Sequence, residues 1–168
     1  MPLLKNGKPH TDEFTDLSAT ATPDMLTTTA GPVLVSLQQW QDHRAELLAR
    51  GTELCLVLRS DEKPAAVSDD LEHFAMIALD FPSFRDGRAY SSARILRQRY
   101  GFAGELRAVG DVLLEQLHFM HRVGFNSFAL ASDNAVAEWE TAANDISVWY
   151  QPTGDGRRTA IQQRHAAG

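Results

Sequence analysis

Residues 75–110 read AMIALDFPSFRDGRAYSSARILRQRYGFAGELRAVG, and the apolar pattern of this stretch decides the fold. AMIALDF is a short apolar run, apolar on both faces, as a strand covered on two sides requires. In GRAYSSARILRQRYG the residues Ala89, Ala93, Leu96 and Tyr100 are spaced 4, 3 and 4, which predicts a helix. ELRAVG is strand-like again. One strand, one helix and one strand with short connections make a parallel βαβ unit.

The same rhythm extends in both directions. Upstream lie the strand PVLVSL, the helix QQWQDHRAELLARG stopped by Gly51, the strand ELCLVLRSD, a loop EKPAAV and a short helix SDDLEHF. Downstream come the helix DVLLEQLHFMHRVG, with Asp111 as its expected N-cap and Gly124 as its stop, and the strand SFALAS. A helix DNAVAEWETAAND capped by Asp133 and a last strand ISVWYQ follow. The expected fold is α/β, with about five parallel strands alternating with helices. An open doubly wound sheet and a partial (βα) barrel both fit, and the regular βα rhythm favours barrel-like curvature.

Three segments organise the chain. Residues 1–31 read as an N-terminal hairpin turning at Asn6-Gly7, followed by a Thr/Ala-rich surface linker over 15–31. Residues 32–150 form the single α/β domain. Residues 151–168 read as a mobile C-terminal tail with little to bury.

Composition bounds the function. The 168 residues suit one domain, and no apolar run is long enough to span a membrane. The N-terminal residues show no secretory signal pattern, so a cytoplasmic protein is expected. The single cysteine, Cys55, sits in an apolar strand and is expected to be a buried small hydrophobe. One thiol cannot form an internal disulfide or a CxxC pair.

Net charge is −6, yet residues 85–122 hold seven arginines against four acids. This local cluster suits a small oxyanion or an acidic partner better than nucleic acid, which asks for a broader basic field.

In a βα architecture, ligands gather at the C-terminal ends of the strands. The third strand feeds the longest polar segment there, containing Asp80, Arg85, Asp86, Arg88 and Tyr90. Arg107 on the fourth strand needs a partner if it faces the sheet interior, and Asp80 or Asp86 is the expected one. A structural role competes with this, in which Asp86 caps the helix and Arg88 pairs locally. Arg94 and Arg97 read as a solvated helix face. His118 and His121 are three apart on one helix, but no third ligand follows at a supporting spacing, so no metal site is expected. No phosphate-binding or nucleophile motif is present.

The block from FPSFRDGRAYSS through GELRA, GDVLLEQ and GFNSFAL, together with the opening MPLLKNG, resembles the bacterial domain of unknown function family 934. The likeness is strongest from Asp80 to Leu130. Val123 and Asn126 depart from the family pattern, where a cysteine and an aspartate are common, so neither position is expected to carry essential chemistry. The resemblance implies sulfur assimilation, because such proteins are described as oxidoreductases of sulfite reduction on the strength of being encoded beside the assimilatory sulfite reductase. The leading expectation is an accessory protein of that pathway. It would bind an oxyanion or a partner enzyme through Arg85, Arg88 and Arg107, with Asp80 and Asp86 orienting them and Tyr90 adding a hydroxyl. A flavin- or nicotinamide-dependent oxidoreductase and a pure interaction module docking on sulfite reductase are the rival expectations. No cofactor is legible.

Overall fold

The computed structural model describes residues 3–130, 137, 139 and 149–166. The opening hairpin forms as expected from β1 (Leu3–Lys5) and β2 (Lys8–His10). Asn6 and Gly7 both take positive φ, at 52° and 75°, as a type I′ turn demands.

The segment expected as a surface linker does more. It contains β3 (Thr15–Asp16) and α1 (Pro23–Thr28), and its Leu17 and Leu26 are buried in the main core. The parallel series then runs β4 (Val33–Ser36), α2 (Leu37–Ala49) and β5 (Leu54–Leu58). A 3₁₀ turn, Pro64–Val67, forms in the expected loop, and a second, Leu71–His73, stands where the short helix was expected. After β6 (Phe74–Phe81) comes α3 (Arg88–Arg94), continued by a π turn (Ile95–Arg99) into β7 (Glu105–Gly110). α4 (Leu114–Val123) leads to β8 (Ser127–Ala129), and α5 (Ala160–Ala166) closes the described chain. The expected helix from Asp133 and most of the ISVWYQ strand lie outside the described residues. Trp149 forms an isolated bridge with Thr159.

The eight strands make one sheet in the order β2-β1-β8-β7-β6-β5-β4-β3. Pairing is parallel from β3 to β8 and antiparallel at β8–β1 and β1–β2. The parallel strands follow sequence order without reversal, so right-handed crossovers place every connecting helix on one side. A doubly wound sheet needs a reversal of strand order. The fold is therefore a half-barrel, with the helices outside.

Chain length shows how strongly the sheet curls. β2 and β3 occupy opposite edges, yet only residues 11–14 join them. Five extended residue steps cover at most about 18 Å, whereas seven strand spacings on a flat sheet cover about 34 Å. The edges must approach each other, and residues 11–14 run as a strap across the mouth of the concave face. Alternation along each strand divides the apolar residues accordingly. Val35, Leu56, Ile77, Leu79, Leu106 and Phe128 join the helices in the outer core. Leu34, Cys55, Met76 and Ala78 line the inner face, with Phe14 of the strap packed on them.

The C-terminal segment, expected to have little to bury, has buried residues at Thr159 and Ala160. Its Asp155 accepts from Arg122 Nε at 2.8 Å, and the Arg122 guanidinium lies 3.9 Å from the Trp149 ring centroid.

Candidate functional site

Parallel pairing brings the strand C-termini to one rim, and the loop after β6 (residues 82–87) sits on it. Its main chain is fixed by the next βα connection. Phe84 N–H donates to Asp111 Oδ2 at 2.9 Å, and Phe84 O accepts from Gln116 Nε2 at 3.1 Å. Asp111 is thus a loop anchor and not the helix cap. α4 begins at Leu114, where the Gln116 side chain accepts from Leu113 N–H at 3.2 Å. Gly110 makes the approach possible. Its φ is +91°, and a Cβ there would run into Phe81 O and come within 2.7 Å of Asp80 Oδ1.

Within the loop the charged side chains have different fates. Arg88 donates from Nε and Nη2 to the Asp86 carboxylate at 2.9 and 2.6 Å, and from Nη2 to Ser60 Oγ at 2.8 Å. These hydrogen bonds from Arg88 hold the Asp86 carboxyl well below the usual range. Asp86 and Arg88 therefore form a local pair, as the structural alternative anticipated, but the N-cap of α3 is Gly87 and not Asp86. Arg85 is exposed and has no ion pair among the described residues; its guanidinium lies 5.4 Å from the Phe84 ring centroid.

Tyr90 points inward and packs at 5.2 Å against both Phe81 and Phe119, and burial raises its hydroxyl pKa. Asp80 is half-buried on the inner face near the rim. Burial raises its carboxyl, with Arg59 offsetting this in part and Asp86 adding to it.

Arg107 lies elsewhere. The register sets it beside Ala78, while Asp80 pairs with Val109 two positions further along. Its expected partners are therefore corrected: Arg107 donates to Glu105 and to Asp12 of the strap, each at 2.6 Å, and stacks 4.7 Å from the Phe14 ring centroid. Lys5 completes the group, with its Nζ 2.6 Å from Glu105. Burial opposes the Glu105 charge, yet the bonds and charges of Lys5 and Arg107 prevail and hold its pKa down. This network borders a cavity of about 320 Å³ at the N-terminal ends of the strands. The structure thus brings Asp86 and Arg88 together, leaves Arg85 exposed on the same loop, sets Asp80 nearby and Tyr90 behind, and places Arg107 apart.

Of the two helix arginines expected to face solvent, one does and one does not. Arg94 is a surface residue bonded to Gln98. Arg97 is not: its guanidinium donates to the carbonyls of Gly124, Phe102 and Gly104 at 2.9, 2.5 and 2.8 Å. His118 and His121 go to different aromatic neighbours, Trp149 and Trp139. Asn126 has a structural task, its Oδ1 accepting from Leu106 N–H at 2.8 Å.

What the sequence reading missed is aromatic. Phe84 is 43% exposed and Phe119 is 50% exposed. Gln116, which holds Phe84, sits three residues before Phe119, and that spacing puts both on one side of α4. Phe84 and Arg85 lie exposed on the loop beside the strand ends, and α4, which holds that loop through Gln116, carries the exposed Phe119 one turn further on. The adjacency of Phe84 to an arginine was the one available signal.

Among the described residues no helix is long and apolar enough to cross a membrane. A family model described as bacterial protein of unknown function (DUF934) matches residues 55–161, and no curated protein matches the chain.

Proposed function

We infer that this protein, which belongs to the bacterial family of unknown function DUF934, is an accessory protein of assimilatory sulfite reduction acting in the cytoplasm by docking on a partner enzyme. The pathway rests on the family resemblance, and the mode of action on one observation. Arg85, the loop arginine without an acid partner among the described residues, stacks on the exposed Phe84, and α4, bonded to that loop through Gln116, carries the exposed Phe119. Aromatic residues and arginine are the types enriched at the energetic centres of protein interfaces. A free-oxyanion site built on Arg88 and Arg107 has less support, because both guanidiniums already bind carboxylates. The partner surface that suits this patch is acidic with an apolar recess, and sulfite reductase is the proposed owner.

The test is capture of the purified protein on immobilised assimilatory sulfite reductase. Retention is expected at about 50 mM salt and loss at about 500 mM, because exposed charge contacts are screened. Arg85→Glu and Phe119→Ser should each abolish retention at low salt. Failure of the wild type to bind at low salt, or variants retained like wild type, would refute the docking reading.

A further inference from the structure

A second rim feature lies away from that patch, between the loop after β5 (residues 60–65) and the outward side of α3. It is a groove of about 510 Å³, within the range of small-molecule sites. Arg88, Ser92, Ile95 and Arg99 follow one helix face at spacings of 4, 3 and 4, and all four border the groove. Pro64 and Ala65 form the facing wall.

The π turn shapes this groove. In regular α-helix, residues five apart point about 140° away from each other, at 100° per residue. Here Tyr100 N–H bonds back to Ile95 O at 3.1 Å, an i→i+5 contact that brings both residues to the same side. Ile95 and Tyr100 consequently share the apolar floor. Such turns cost regular hydrogen bonding and recur at functional sites.

The two ends differ in charge. Arg88 closes one end through Ser60 and is neutralised by Asp86. Arg99 at the other end is exposed, lies 5.6 Å from the Tyr100 ring centroid and has no ion pair among the described residues. The acids on the groove wall, Asp61 and Glu62, belong to the 60–65 loop, and Glu62 is engaged by Arg59 N–H at 2.7 Å.

We propose that this groove binds a small amphipathic acid, its apolar body on Ile95, Tyr100 and Pro64 and its oxyanion on the Arg99 guanidinium. Carboxylates and sulfonates both match the guanidinium fork. The site is independent of the docking patch.

Titration calorimetry on the full chain with octanoate and with octane-1-sulfonate tests it. Saturable binding tighter than about 1 mM is expected for at least one probe. Arg99→Ala should weaken it about tenfold, as loss of a charged hydrogen bond does. Ala65→Trp, which fills the groove from an exposed position, should abolish it, while Arg94→Ala on the same helix should leave it unchanged. Circular dichroism confirms that each variant is folded. Preference for octanoate assigns a carboxylic acid and preference for the sulfonate assigns a sulfonic acid, and either upholds the site. No saturable binding, binding that survives Ala65→Trp, or equal loss in Arg94→Ala would overturn it.

Discussion

Asp80 shows how much one side chain can reveal about the rim. Its carboxyl is raised by burial, with Arg59 only partly offsetting this. A folded-state pKa above the unfolded one means that the charged form costs stability once pH exceeds both values, and that nothing is lost below both. Asp80→Asn should therefore stabilise the protein at about pH 7 and leave it unchanged at about pH 3. Urea unfolding at the two pH values checks this, and an equal effect at both would contradict it. Arg97 teaches the opposite lesson about legibility. The sequence presents it as one arginine among several on a polar helix, and no pattern announces that it will bind three carbonyls. Those carbonyls come from loops whose positions depend on the whole sheet. Arg107 was recognisable as a buried charge, but its partner required the register, which a sequence without pairing information does not contain.

Among elements, the strap across the half-barrel mouth has the clearest consequence. Phe14 packs on the inner cluster that contains Cys55, and burial pushes that thiol up to about 12. Replacing Phe14 by Ala should open the mouth and speed modification of Cys55 by a disulfide reagent about tenfold or more, because local opening controls access to buried groups. A rate equal to wild type, in a protein shown to be folded, would mean that the strap does not guard the interior. The central strands were legible because each is an uninterrupted apolar run, and the helices because their apolar residues recur at helical spacing. β3 and α1 were not, since Leu17 and Leu26 stand singly among threonines and alanines. The start of α4 was misplaced because Asp111, a good cap by type, is drawn to the Phe84 N–H instead.

At the scale of the molecule, the C-terminal segment is the sharpest test. Arg122 is buried and depends on Asp155 and on Gln151 O, both beyond residue 150. Ending the chain after Tyr150 should cost about 3 kcal/mol, as breaking a buried ion pair does. A denaturant midpoint unchanged by the truncation would identify the segment as a passenger. The half-barrel itself was within reach of the sequence as one of two alternatives, and strand order chose between them. That same order has a consequence for synthesis. β1 pairs with β8, so Leu3 meets Ala129 only after more than a hundred further residues have left the ribosome. β3 needs only β4, close behind it. The β3 edge of the sheet can form soon after it is made, while β1 waits longest for its neighbour β8 and meanwhile has only its other edge occupied, through the hairpin turn at Asn6-Gly7.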